Sequence, residues 1–492
     1  MHLRALFTAG ALVGMGVLLS RVLGLLREML LASHFGGGPE ADMAIALLLI
    51  PDFITGALVG TAVGATFVPL FTARDEKTAL HLFWQALTVS IGVFALLAIL
   101  IACNASATIH LIGKGNGMLP GAMTAFLIAI STIPLTAATA ICTAWLQYRG
   151  RFRVPAFANA IFNGVIVCTL WLMPMGLAML AVSIFCAVSV RLLAHVYAFY
   201  RSGGRLAFGS WQLNRTILKT YATTMATDIC NLFPQFAPYY LIALGGSGLA
   251  IFNYAFKLSV MPAMIGYNIA QLVLLPWFAR LFRERLDGDS MLPYTVTLQC
   301  CWALCLAVCL SLMTASHEMA QLCFGYGKMD AAAIDRIGHL FALGVWSMPP
   351  ILLTGIWQQM LYAHGKPRMP FAASLIQAIA ILPLCWLGSW LYGLEGVMLA
   401  YALLQVIAVA LLSYAGHQQG IISRHRPSRV YGEMLLLALA IWVPLAWLYK
   451  SLAWGIFTKI LLAIAMGVLV LVATLSLCVP VRQWAKERMK NL

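Results

Sequence analysis

Apolar runs of about twenty residues recur from one end of this chain to the other, and each is long enough to cross a bilayer as a helix. Fourteen can be read, over 5–31, 43–71, 80–103, 121–147, 155–174, 176–199, 216–243, 248–279, 291–315, 337–363, 370–391, 394–416, 431–449 and 454–479. Barrel strands would be shorter and would alternate apolar with polar residues, so a membrane β-barrel is excluded. Hydrophobic residues make up 62% of the 492 and charged residues only 10%, which no soluble domain matches. The expected fold class is an all-α polytopic membrane protein with about 14 transmembrane helices. The first run is too long for a cleaved signal and reads as mature protein.

The net charge of +15 is a topology signal rather than a nucleic-acid patch, so no nucleic-acid partner is expected. With the N-terminus in the cytoplasm, twenty-one lysines and arginines fall on that side, among them Arg149, Arg151 and Arg153 in one loop and Arg424, Arg426 and Arg429 in another. The opposite side holds four: Lys114, Lys328, Arg336 and Lys450. Both termini are therefore expected in the cytoplasm, with anionic membrane lipids against the basic loops. The 12 cysteines form neither a CxxC pair nor a cluster with histidine, so no disulfide framework and no metal site is expected.

The chain also repeats itself. "FVPLFTARDEK" is echoed by "LLPWFARLFRER", and "WLQYRGRFRVPAFAN" by "MLYAHGKPRMPFAAS". In the second pair Gly150 aligns with Gly365, Arg151 with Lys366, Arg153 with Arg368 and Pro155 with Pro370, each 215 residues apart. Ser131-x-x-Pro134 likewise echoes Ser347-x-x-Pro350. Six crossings return a chain to its starting side. Two parallel six-helix repeats are therefore expected, forming two lobes (1–203 and 204–418) around a central cavity, with two extra C-terminal helices and a basic tail in 419–492. This is the plan of an alternating-access carrier. Pro51, Pro262, Pro349 and Pro350 are candidate hinges, since proline removes a backbone donor and bends a helix.

Six basic residues belong to no loop. Arg191, Lys219 and Lys459 stand within two or three turns of a span end, where long side chains snorkel to the interface. Arg21, Arg27 and Lys257 stand deeper, where charge is costly and usually functional. Arg21 and Glu28, seven apart, share a helix face with Gly14, Val17 and Gly24, and Arg27 points about a third of a turn away. Gly10, Gly14, Gly16, Ser20 and Gly24 would let a backbone or a ligand approach closely. A mixed-charge face on such a helix suits a cavity wall; the alternative is an Arg21–Glu28 or Arg27–Asp42 pair that only fixes packing. Asp228, near mid-depth in the seventh span, is a candidate ion-coupling carboxylate or a partner for Lys257.

Arginine offers a planar fork that matches phosphate, and lysine a point charge. The ligand expected of Arg21, Arg27 and Lys257 is thus anionic and phosphorylated, and a cavity between six-helix lobes suits a bulky amphiphile. None of the 10 histidines pairs with a nucleophile, so an enzyme is not expected. A secondary drug or cation antiporter would favour an acidic, aromatic cavity. No G-x-x-x-x-G-K-[ST] motif is present, so no cofactor is expected and the driving force would be the membrane potential or an ion gradient.

"SRVLGLLREMLLASHFGGGPEADM", followed by "IPDF" and "FVPLF", resembles the opening of the MurJ (MviN) family, lipid II flippases of the multidrug/oligosaccharidyl-lipid/polysaccharide exporter superfamily. "GSGLAIFNYAFKLSVMP" with "LLPWFARLF", and the later "LCFGYGKMDAAA" and "MLYAHGKPRMP", are similar to further segments of that family, so the resemblance spans essentially the whole chain. It implies two six-helix lobes plus a lipid-tail groove formed with the last two helices. It implies a multi-pass protein of the bacterial inner membrane that carries an undecaprenyl-diphosphate-linked saccharide to the outer leaflet. Cell-wall or polysaccharide synthesis enzymes would be partners. Arg21, Arg27 and Asp42 match family positions. Glu28 stands where the family usually has Asp, Thr55 and Gly56 replace a usual basic pair, and Phe256 with Lys257 replaces a usual acid–Arg pair. Those departures leave a second substrate open: another polyprenyl-diphosphate-linked saccharide, such as an exopolysaccharide or O-antigen unit.

Overall fold

The computed structural model describes the chain outside residues 1–2, 60–61, 113–118, 174–175, 208, 284–291, 420–426, 453 and 478–492. Every long element among the described residues is a helix. In order these are α1 (Leu3–Phe35), α2 (Pro39–Val59), α3 (Ala62–Thr72), α4 (Glu76–Cys103), α5 (Ala105–Ile112), α6 (Ala122–Tyr148), α7 (Arg153–Leu172), α8 (Leu177–Arg201) and α9 (Arg215–Gly245). There follow α10 (Leu249–Arg283), α11 (Leu292–Thr314), α12 (Ser316–Phe324), α13 (Ala331–Gly344), α14 (Met348–Ala363), α15 (Arg368–Gln418), α16 (Pro427–Ser451) and α17 (Ile456–Leu477). Among the described residues, 10 helical stretches are long and apolar enough to cross a membrane. The all-α polytopic class is thereby borne out.

Every span read from the sequence finds its helix, with local differences. The second span is covered by α2 and α3, with residues 60–61 between them outside the described ones. The tenth is α13 and α14 joined by a 3-10 turn at Val345–Ser347, directly before the paired prolines Pro349 and Pro350. Proline at the first positions of a helix removes no intrahelical bond, so these two start α14 rather than bending it. α15 merges the eleventh and twelfth spans, and the chain turns at Gly393, where φ is +62° and ψ −135°. The two halves of α15 then meet so closely at Gly388 and Gly396 that neither position could hold a side chain. The short helices α5 and α12 lie in segments read from sequence as loops.

The chain forms two compact units: 1–250 with 326–329, and 251–325 with 330–492. The first is organised around α6, which packs against α2, α3, α4 and α8. Its alanines and threonines permit that crowding. The hydroxyls of Thr132, Thr136, Thr139 and Thr143 return to carbonyls three or four residues earlier, so burial leaves their donors satisfied. At one end of α6, Trp145 packs with Phe71, Phe83 and Phe199, and Phe83 stacks on Phe199 at 4.4 Å.

In the second unit the Ala331–Ala363 stretch is the interior element, 83% buried over its apolar window. α11 carries α16 and α17 on its flank. Lys459 of α17 does not snorkel freely: its Nζ pairs with the buried carboxylate of Glu318 on α12 at 3.2 Å and lies over the Tyr449 ring.

The paired turns at 150 and 365 have one geometry. Gly150 has φ +66° and Gly365 φ +68°, a region that only glycine enters without strain. In the first turn the Arg151 amide donates to Leu146 at 2.8 Å, and in the second the Lys366 amide donates to Leu361 at 2.9 Å. Gly150 and Gly365 each donate to the carbonyl three residues back at 3.0 Å. The two glycines matched in sequence therefore close the same helix-ending motif.

Candidate functional site

The charges of α1 are placed by its contact with α7. At Gly16 the helices are so close that a Cβ would run into the carbonyl of Ala156, and Gly24 faces the Asn163 amide. Gly14 meets nothing within 4 Å, and the side chains of residues 3–13 lie outside the described ones. Of the glycines on this face, Gly16 and Gly24 are where α7 approaches α1.

Beyond Gly24, Arg27 is held from three sides. Its Nη1 donates to Asn163 Oδ1 at 3.0 Å, and its Nη2 donates to Glu28 Oε1 at 2.9 Å and to Asp52 Oδ2 at 3.3 Å. The Asn163 amide in turn donates to the Ser20 carbonyl at 3.1 Å, fixing which end of the amide faces Arg27. Arg27 is 4% exposed and Glu28 1%, whereas the Asp52 side chain is 33% exposed and opens the cluster on one side. Glu28 thus pairs with its neighbour Arg27, not with Arg21. Arg21, six residues earlier, is exposed.

A second arginine joins from α8. The sequence placed Arg191 among the snorkelling side chains; instead it is 2% exposed. Its guanidinium lies over the Phe162 ring at 5.3 Å, and that of Arg27 lies over the same ring at 5.9 Å. Arg191 Nη2 donates to Thr136 Oγ1 at 3.3 Å, and its own carbonyl accepts from His195 Nδ1 at 2.8 Å. The snorkelling reading fails because α8 turns this face toward α6 and α7, away from the bilayer. Sequence offered one signal for the cluster: Asn163 interrupts an apolar run on α7.

The remaining candidates sit elsewhere. Asp42 does not join Arg27. Its two carboxylate oxygens accept from the amides of Gly248 at 2.9 Å and Ala250 at 2.7 Å, capping the first turn of α10. Asp228, on α9, accepts from the Ala62 amide, at the first described residue of α3, at 2.6 Å. Lys257 is half-buried on α10, and Pro262 lies five residues further along the same helix.

The departures from the family pattern have packing counterparts. A Cβ at Gly56 would lie 3.0 Å from the end of the Leu232 side chain, so a larger residue there would require that side chain to move. Phe256 is buried edge-on to Tyr401 at 4.8 Å. The side chains of Pro51 and Thr55 lie outside the described ones. Among the described residues no group of three or more His, Cys, Asp or Glu could hold a metal ion.

Long apolar helices enclosing a carboxylate-matched guanidinium cluster define a polytopic membrane protein with a charged interior. The likenesses to known proteins narrow that class. A Vibrio cholerae protein described as "Probable lipid II flippase MurJ" is 23% identical, with 93% of each chain covered. The lipid II flippase MurJ of Burkholderia cenocepacia is 24% identical over 79% of this chain and 78% of its own. A solved structure of lipid II flippase MurJ in an inward closed conformation shares the fold, with a TM-score of 0.79, 18% identity, and coverage of 94% of this chain and 98% of that one. An inward-facing MATE multidrug transporter shares it at a TM-score of 0.67 and 13% identity, covering 81% and 94%. The model of the lipid II flippase MurJ family matches residues 31–473, and the chain belongs to that family. It is accordingly a multi-pass inner-membrane transporter.

Proposed function

We propose that this chain moves lipid II, an undecaprenyl-diphosphate-linked saccharide, from the cytoplasmic to the outer leaflet by alternating access. The observation that carries this reading is the pairing, in a MurJ-family chain, of an exposed arginine with a buried one six residues later on the same helix. Arg21 makes first contact with the diphosphate. Arg27 has its Nη donors committed to Asn163, Glu28 and Asp52, so a phosphate reaching it replaces carboxylates rather than filling an empty fork. The exchange substitutes one oxyanion for another, which keeps the buried charge compensated throughout. Phosphate and carboxylate both fit the guanidinium fork, and Asp52, the most exposed of the acids, is the one that yields.

The membrane potential, worth about 2.3 kcal/mol per unit charge per 100 mV, or an ion gradient resets the carrier. Asp228 is the candidate coupling carboxylate, and its release from Ala62 would free the start of α3. Both termini face the cytoplasm. Labelling with a membrane-impermeant thiol reagent from outside should reach Lys328→Cys and spare Arg151→Cys; the reverse pattern overturns the orientation. For the function itself, bacteria depleted of their own lipid II flippase should keep growing when this chain is expressed. Lysis despite normal membrane insertion would argue against lipid II and for another polyprenyl-diphosphate-linked saccharide.

A further inference from the structure

α9 is 31 residues long, yet it is not among the helices apolar enough to cross a membrane. Much of its polarity gathers on one face. Thr216, Lys219, Thr220, Thr223, Thr227 and Asn231 follow one another at intervals of one, three or four residues, which places them within about 120° of arc on a helix. All six are exposed or half-exposed. The stripe runs for roughly 22 Å at the usual helical rise, most of the depth of a bilayer core. The side of α9 that faces the core of the first unit carries Ile217, Tyr221 and Met225, with the buried Asp228 among them, and Tyr221 meets Phe67 at 5.8 Å.

Exposed positions elsewhere in the protein look different. On α4 they are Ile91, Val93, Leu96 and Ile99, and on α17 Leu461, Ile464, Val468 and Val472. Those are side chains for lipid. A face with an ammonium at one end and a carboxamide at the other is not, because the helix cannot satisfy three ammonium donors or all four amide hydrogen-bonding positions. The threonines have a particular polarity. Thr220, Thr223 and Thr227 donate their hydroxyl hydrogens to the carbonyls of Thr216, Lys219 and Thr223, at 3.0, 2.7 and 2.9 Å. Their oxygens are left as outward acceptors. A row of acceptors led by a cation complements a molecule with many hydroxyl donors on an anionic anchor.

We propose that this face of α9 is the wall along which the saccharide headgroup of the transported lipid lies, hydrogen-bonded through its hydroxyls, and that it determines which headgroups are carried. The inference rests on the flippase reading above and adds the part of the chain that reads the sugar. Weak, repeated, neutral contacts suit a headgroup that must slide; a wall of charges would hold it.

The test uses the full chain in proteoliposomes, with lipid II and with undecaprenyl diphosphate lacking the sugar. Thr223→Cys should react with a water-soluble thiol reagent, above the background of the native cysteines. Lipid II should slow that reaction roughly tenfold, as expected for displacement of the reagent from an occupied wall, and undecaprenyl diphosphate should not. The isosteric triple variant Thr220→Val/Thr223→Val/Thr227→Val should keep its thermal stability and lose roughly tenfold or more in lipid II transport. No reaction at Thr223→Cys would mean the face meets lipid, and equal protection by both probes would mean it reads only the diphosphate or tail; either overturns the inference. Transport by the unmodified protein is read in the same vesicles. Transport without protection overturns this inference alone, and absence of both overturns the flippase reading with it.

Discussion

Arg27→Ala is expected to cost about 3–5 kcal/mol of stability and to abolish transport, because it leaves Glu28 buried and Asp52 half-buried without their shared counter-ion. Asn163 would also lose the donor on its carbonyl oxygen, and with it part of the joint between α1 and α7. Loss of transport by itself would not separate a gripping residue from a structural one. The informative variant is Arg27→Met combined with Glu28→Gln and Asp52→Asn. It removes the charges together and keeps most of the volume, so thermal unfolding in detergent should return close to that of the unmodified protein. Transport should stay absent. If transport returned with stability, Arg27 would be a packing residue and the diphosphate would be held elsewhere.

Arg21→Ala should behave in the opposite way. Its side chain is exposed, and removing it strands no buried partner. Unfolding should be unchanged, while transport falls roughly 100-fold, the order expected for losing charged hydrogen bonds to a phosphate. Arg21→Lys should restore only part of the rate, since an ammonium keeps the charge and loses the fork. Full rescue by lysine would show that charge alone suffices there. A fall in stability matching the fall in transport would move Arg21 into the structural class.

The fold was largely legible because membrane spans are written in the most redundant code a sequence has. A run of twenty apolar residues leaves little besides a helix, and the turns at Gly150 and Gly365 were signalled by matched glycines with basic neighbours. Breaks inside a run were less visible. The 3-10 turn at Val345–Ser347 showed only in the prolines that follow it.

The candidate site was half legible. Arg27 and Glu28 announced themselves as charges where none is cheap. Their partners did not, because Asn163, Asp52 and Arg191 come from α7, α2 and α8, and distance along the chain hides convergence. Arg191 was misjudged by its nearness to a span end, a measure that ignores which way the helix face turns. Asp42 and Asp228 were noticed for their charge, yet each is engaged by backbone amides at the start of another helix. Helix starts need such acceptors, and no spacing rule links a carboxylate to an amide some two hundred residues away.

The central claim is that this chain carries a polyprenyl-diphosphate-linked saccharide across a bilayer, and that the saccharide is that of lipid II. Its most direct test is transport by the purified protein in sealed proteoliposomes loaded with lipid II in one leaflet. A headgroup-modifying reagent that cannot cross the membrane then counts the molecules reaching the other face. The account predicts protein-dependent appearance of lipid II at that face, slowed when an ionophore collapses the membrane potential and reduced roughly 100-fold with Arg21→Ala. Protein that is folded and correctly inserted but leaves lipid II where it was placed would contradict it.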